Sequence, residues 1–274
     1  MAIDWAHGYT ASWRVCRVDA STWEPCGEVR GIETISVERD GGDKSPMLES
    51  ATVTATLPAT EAFEPGWHRV IMDAVQGTYS ESVPIATLWL ESTSGTWSKG
   101  ARTDEIKGTS VLKQASEQKI GDGSYAPIGA DGADWAVRTL ASRIDAPVSA
   151  LGGFELARSI VFDLKSSVLA AVWAVLSEGG WCMQIDGRGE VTVMPMPTEP
   201  ALTIDREGAR IVMPRVTLRN GSLAYSREWQ PNVHPFSIVR GALPSSGFDG
   251  DYRVTSQRLT CGAGIVVEES VKEL

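Results

Sequence analysis

Chemistry needs particular side chains at particular spacings, and the first candidates in this chain are carboxylates. Glu33, Glu38, Glu49 and Asp40 lie close together in sequence. Two carboxyl groups facing each other across a cleft are the machinery of glycoside hydrolysis. With 35 acidic residues in the chain, however, such proximity carries almost no information. The Asp-rich loops Asp40 to Asp43 and Asp122 to Asp134 could offer oxygens to a hard cation, but neither has the EF-hand spacing, and a solvated loop is the simpler reading. His7, His68 and His234 are far apart, and Cys16, Cys26, Cys182 and Cys261 contain no Cys-x-x-Cys pair, so no zinc site is expected. Buried reduced thiols are the simpler reading, with Cys16 and Cys26 the only pair close enough in sequence for a local bridge. His68, beside Arg69 in an apparent strand, reads as a structural histidine, and His234, between Val233 and Pro235, as a loop residue rather than a general base. There is no G-x-S-x-G elbow, no H-E-x-x-H and no P-loop. Gly121-x-Gly123 and Gly187-x-Gly189 sit in turns. The second pair leads from strand to strand, not into the helix that a dinucleotide site requires. Trp89, Trp97 and Trp229 could stack sugars, although core or interface packing is the simpler role. No catalytic, cofactor-binding or metal residue is assigned.

The elements that would position these residues centre on Asp163 to Pro195, which reads as a helix feeding a β-hairpin. Ser166 can cap the helix through its hydroxyl. Val168, Leu169, Val172, Trp173, Val175 and Leu176 form an apolar stripe at helical spacing. Gly179 and Gly180 stop it. Trp181 to Ile185 and Val191 to Met194 are strands joined through Asp186-Gly187. Burying five of the apolar helix residues would contribute roughly 1.5–3 kcal/mol each before chain entropy is subtracted.

Before that unit the pattern is strands. Ser12 to Asp19 alternates, and Val29 to Arg39 is a long strand interrupted near Gly31. In Leu48 to Leu57, Ala51, Val53, Ala55 and Leu57 share one face and Thr52, Thr54 and Thr56 the other. Trp67 to Val75, Val83 to Glu91 and Arg102 to Gly108 follow. Gly and Pro punctuation at this spacing indicates an antiparallel barrel or sandwich. After about Ser110 the texture changes: Asp131 or Asp134 can cap a helix through Trp135, Val137 and Leu140. From Ala201 strands return, best in Phe236 to Gly241, Tyr252 to Thr260 and Ile265 to Val271. The order is β, mixed, β.

The bulk properties set outer bounds. The 274 residues suffice for one large or two modest domains, and 42% hydrophobic with 22% charged content is ordinary for a globular chain. A net charge of −10 argues against gripping a phosphate backbone, though an acidic lumen would let nucleic acid slide past. Ten Trp scattered from Trp5 to Trp229 suggest several small cores or interfaces. No signal peptide opens the sequence and no apolar run approaches a membrane span, so cytosolic synthesis is expected.

One resemblance runs through nearly the whole chain. Trp13-x-Val15-x-Arg17-Val18-Asp19 with Thr22-Trp23 leads to Ile35-Ser-Val-Glu-Arg-Asp40 and Glu49-Ser-Ala-Thr-Val-Thr. Trp67-His-Arg-Val is followed by Val83-Pro-Ile-Ala-Thr-Leu and Ser110-Val-Leu-Lys-Gln-Ala. Next come the Gly179 to Pro195 hairpin, Gln230-Pro-Asn-Val and Ser237-Ile-Val-Arg-Gly. This series resembles the baseplate hub, or central tail-tip, proteins of tailed bacteriophages and phage-tail-like particles. The resemblance implies a mainly β fold with an α/β portion: two β-barrel-like domains, 1–112 and 201–274, flanking a mixed segment, 113–200. It implies a homotrimer whose six barrels form a pseudo-sixfold ring around a DNA channel, joining a sixfold tail tube to a threefold tip. The implied partners are the distal tail or tail-tube ring, spike or fibre proteins and the C-terminus of the tape-measure protein. The implied place is the virion tail tip, and wall digestion would belong to another chain. The second β segment is short for such a hub. Two rivals stand beside this expectation: a receptor- or carbohydrate-binding module of the tail tip, and a hydrolase with a dispersed carboxylate pair.

Overall fold

The computed structural model describes residues 3–5, 9–42, 45–58, 63–98, 100–121, 124–204, 211–219, 222–231, 233–244, 247–262 and 265–274. Alternating apolar and polar side chains build its strands, because successive residues of a pleated chain face opposite ways. Seven come first: β1 (Thr10–Val18), β2 (Pro25–Val29), β3 (Ile32–Gly42), β4 (Ser45–Pro58), β5 (Gly66–Gln76), β6 (Tyr79–Ser98) and β7 (Ala101–Thr109). The middle holds α1 (Leu112–Glu117), β8 (Tyr125–Ala126), α2 (Gly132–Ala141), β9 (Val148–Ala150), β10 (Ile160–Val161), α3 (Val168–Glu178), β11 (Trp181–Ile185) and β12 (Val191–Pro195). The last part is β13 (Pro200–Ile204), β14 (Ile211–Arg219), β15 (Ser222–Glu228), β16 (Ile238–Leu243), β17 (Phe248–Cys261) and β18 (Ile265–Glu273).

The fold is mainly β with an α/β portion, as the sequence indicated. The strands of the two ends assemble into one thirteen-stranded sheet, whose main path runs β14-β15-β18-β17-β3-β4-β7-β6-β5-β1-β2, with β16 on β17 and β13 on β16. No closed barrel forms among the described residues; the path ends at β14 and at β2. The pairing of β17 with β3, Ser256 opposite Asp40 through Cys261 opposite Ile35, carries the sheet from the first part of the chain into the last. One core lies under this join, where Ile35, Val37, Val53 and Ile106 meet Leu259, Cys261 and Val267. In β4 the inward Ala51, Val53, Ala55 and Leu57 are all buried, as their alternation predicts.

The helix and hairpin of the middle form as expected, with one shift. Ser167, not Ser166, caps α3, its Oγ accepting from Ala170 N at 3.1 Å. Ser166 is spent on the preceding turn: its N–H donates to the Asp163 carbonyl and its carbonyl accepts from Ile120 N. Gly180 takes the left-handed conformation (φ 69) just after the helix. Asp131 rather than Asp134 caps α2, its Oδ1 accepting from Ala133 N and Asp134 N. The stripe of α3 is buried and its Trp173 stacks on Phe236, rings 5.7 Å apart, tying the middle to the last part of the chain.

The hairpin tip docks on the first part. Thr87 Oγ1 donates to the Gly187 carbonyl at 3.0 Å, while Arg69 Nη2 and Trp23 Nε1 donate to the Arg188 carbonyl at 3.0 and 2.8 Å. The approach needs Gly187: a Cβ there would stand 1.9 Å from the Pro84 carbonyl oxygen.

Candidate functional site: a polar sheet face backed by a buried ion-pair row

Strand register decides what the sheet presents. On its outer face one row runs Ser226, Glu268, Arg258, Glu38, Ser50, Thr109, Trp89, each directly opposite the next across seven strands from β15 to β6. A second row runs Thr260, Ser36, Thr52, Lys107, Glu91, and a third Thr34, Thr54, Glu105, Ser94. Asp40, with Ser256 and Ser270 beside it, flanks the first. The face is therefore hydroxyls and charge, with five carboxylates (Glu38, Asp40, Glu91, Glu105, Glu268) against Arg258 and Lys107 in these rows and Lys272 two residues beyond Ser270. Arg258 Nε lies 3.5 Å from Glu38 Oε1 with both side chains half in water, so the pair neutralises little. Burial raises the Asp40 carboxyl, and the neighbouring Glu38 charge adds to the shift.

Directly behind runs a buried polar row: Tyr225, Glu269, Gln257, Arg39, Glu49, opposite one another across β15, β18, β17, β3 and β4. Glu269 accepts from Tyr225 Oη at 2.5 Å, from Arg227 Nε and Nη2 at 2.8 and 2.6 Å, and from Gln257 Nε2 at 2.6 Å. Gln257 Nε2 also donates to the Val233 carbonyl at 2.8 Å. Arg39 donates through Nε to Glu49 Oε1 at 2.6 Å, through Nη2 to the Ile85 carbonyl, and faces His234 Nδ1 at 3.4 Å. Glu49 Oε2 and Gln257 Oε1 are buried without a partner.

The environment splits the two carboxylates. For Glu269 burial opposes ionisation, but the Arg227 charge and the hydrogen bonds of Arg227, Tyr225 and Gln257 outweigh it and hold the carboxyl low. For Glu49 burial outweighs Arg39 and pushes the carboxyl up. Burial, with Arg39 adding repulsion, pushes the His234 imidazole down to about 3, so it is neutral at ordinary pH. Such a row is a device for geometry: every pairing fixes the register of the strands that join the two ends of the chain.

The sequence candidates scatter across this framework. Glu38 and Asp40 point outward and Glu49 inward, so the sheet separates them as a catalytic pair. His68 is buried with Nδ1 2.8 Å from the Gly66 carbonyl. Cys16 and Cys26 are both free thiols. Trp229 is buried, Trp89 half-exposed, and Trp97 is 62% exposed with Arg102 5.4 Å over its ring. His7, Asp43, Asp122 and Gly123 lie outside the described residues. Among the described residues, no three His, Cys, Asp or Glu come together as a metal site. Arg39, Glu269, Arg227 and Gln257 were missed, yet each occupies an inward position of an alternating strand, between residues such as Val37 or Val267 and Val271. A charge where the period demands an apolar side chain was the available signal.

Solved structures share this architecture. The 43 kDa tail protein of prophage MuSo2 from Shewanella oneidensis matches at TM-score 0.65 and 10% identity, over 96% of this chain and 98% of that one. A tail protein from Neisseria meningitidis MC58 matches at TM-score 0.63 and 14% identity, over 97% of each chain. The Escherichia coli c3393 protein, described as a component of the type VI secretion system with structural similarity to T4 bacteriophage tail proteins gp27 and gp5, matches at TM-score 0.56 and 9% identity, over 89% of this chain and 74% of that one. No family model matches the sequence, and no curated protein matches it. The chain has the fold of phage tail proteins, in agreement with the tail-hub resemblance of its sequence.

Proposed function

We propose that this protein is a structural component of a phage-type tail, working as the hub at its tip, and that its polar sheet face is the wall of the channel. In this reading 1–112 and 201–274 are two related β units flanking the mixed segment 113–200. Three chains then present six such units to the sixfold tail-tube ring above and the threefold spike or fibre below, in reach of the tape-measure C-terminus. The observation that carries it is the seven-strand outer face, whose hydroxyls and excess of carboxylates repel a polyanion and give it nothing to grip. Two strand edges support assembly by one kind of heterologous contact. Among the described residues, β6 from Glu91 to Ser98 pairs only with β7, and β14 pairs only with β15. Joined between copies, they would continue the wall around a ring.

The test replaces Glu38, Glu91 and Glu105 together by Lys in assembled particles. Particles that form normally but release DNA slowly support the channel face. Unchanged release, or electron microscopy showing this face turned outward, refutes it. A second reading rests on exposed Trp97: as a glycan-stacking residue it requires saturable binding of cell-wall saccharide that Trp97→Ala abolishes.

A further inference from the structure

A separate groove lies in the mixed segment. It has a volume of about 660 Å³, and its lining includes Ile120, Pro127, Ala130 and Trp135 together with Tyr125 and Arg143. Tyr125 of β8 lines it, and β8 pairs with β10 alone among the described residues. Phe162 N donates to the Ser124 carbonyl, and Val161 faces Tyr125. Antiparallel pairs alternate between bonded and non-bonded positions. Tyr125 is thus the non-bonded position, and its N–H and C=O point away from β10. Residues of α2 line it too, and the ten of that helix span about 15 Å, the length of four or five residues of extended chain. Beside the edge, Tyr125, Ile128 and Val161 are exposed, Val161 by 79%.

The rim carries two carboxylates, Asp131 and Asp134, and two guanidiniums, Arg138 and Arg143, and they are not all paired with one another. Arg138 is taken by Asp134 at 2.5 Å, and Asp131 Oδ1 accepts from two amides at the start of α2. Arg143 remains without a salt bridge among the described residues. A strand edge, an apolar part of the lining and a guanidinium without a salt bridge call for an extended peptide with an anionic end.

We propose that this groove binds an extended apolar segment of a partner protein, which adds to β8 at Tyr125 as a further strand and sets an acidic side chain or terminal carboxylate against Arg143. The site is independent of the channel face and of the hub reading.

The test uses the full chain and two fluorescein-labelled probes, Val-Thr-Ile-Thr-Val-Asp with a free C-terminus and Val-Thr-Ile-Thr-Val-Lys amidated, read by anisotropy. The acidic probe is expected to bind saturably and about tenfold more tightly than the basic one. Arg143→Ser removes that preference. Tyr125→Pro, which deletes an N–H that β10 does not use, weakens both probes about tenfold with the unfolding midpoint unchanged. Arg143 is exposed, so its variant tests the site even if the proline variant fails to fold. No saturable binding, or equal binding of both probes to every variant, overturns the proposal. So does self-association that the two variants abolish in a chain that ignores the peptides, since the groove then belongs to a second copy.

Discussion

Replacing Glu269 by Gln tests whether the buried row holds the two ends of the chain in register. Each carboxylate oxygen takes two donors: Oε1 those of Arg227 Nη2 and Gln257 Nε2, Oε2 those of Tyr225 Oη and Arg227 Nε. Whichever way the amide turns, its NH2 faces an Arg227 N–H donor, and the Arg227 guanidinium, with 1% of its side chain exposed, loses the Glu269 charge. Breaking a buried pair from one side costs about 3–5 kcal/mol, a large part of the stability of an ordinary domain. Urea unfolding at pH 7 should show that loss as a lower midpoint with an unchanged slope. Removing the charges together, as Arg227→Met with Glu269→Leu and Tyr225→Phe, should recover most of it, because the desolvation of both ions disappears with them. A loss below about 1 kcal/mol for the single variant would refute the reasoning, since a charge so enclosed cannot be abandoned that cheaply.

His234 gives the pH dependence. Its folded value of about 3 lies below the ordinary 6.5, so its contribution is complete above pH 6.5 and is lost as pH falls toward 3. At pH 4.5 the loss is about 3 kcal/mol, on the order of 1.4 kcal/mol per unit, and His234→Gln should remove that part of the slope between pH 7.5 and 4.5. Glu269, held low, loses stability in the same direction below its ordinary value; Glu49, held high, opposes both, because its ionised form is the disfavoured one. Gly187→Ala drives a Cβ into the Pro84 carbonyl and lifts the hairpin tip from Thr87, Arg69 and Trp23, for about 3 kcal/mol by urea unfolding. Gly27→Ala, with nothing within 4 Å of its Cβ, should stay within about 0.5 kcal/mol. Iodoacetamide at pH 8 on the native protein should alkylate exposed Cys26 and spare Cys182 and Cys261, which burial pushes up to about 12; mass mapping of the peptides reads the result.

What was legible in the sequence follows from range. Alternation in β4, the stripe of α3 and the Asp186-Gly187 turn are local signals, and each appears where its pattern put it, the α3 cap slipping by one residue because Ser166 closes the turn before the helix. The joining of β3 to β17 is not local. Nothing in Ile35 to Asp40 names Ser256 to Cys261 as its neighbour, over two hundred residues away, and barrel closure is the expectation that sequence-adjacent hairpins alone support.

The two charges Arg39 and Glu269 were the trace of that distant pairing. A strand that places Arg39 after Ile35 and Val37 on its inward face must bury a charge, and a buried charge requires a partner. Glu49 supplies one in the adjacent strand, and Glu269 requires its own in Arg227. Between them stands Gln257, opposite Arg39 on one side and Glu269 on the other, so the two ion pairs meet through a single neutral amide. A slip of one residue between β3 and β17 would set Arg39 opposite Arg258 or Ser256 and part it from Gln257, the amide that stands between the two ion pairs. Apolar residues alone would forgive such a slip in part, because one Val packs much like another. Polar rows do not, and a sheet assembled from unlike segments of one chain depends on that intolerance.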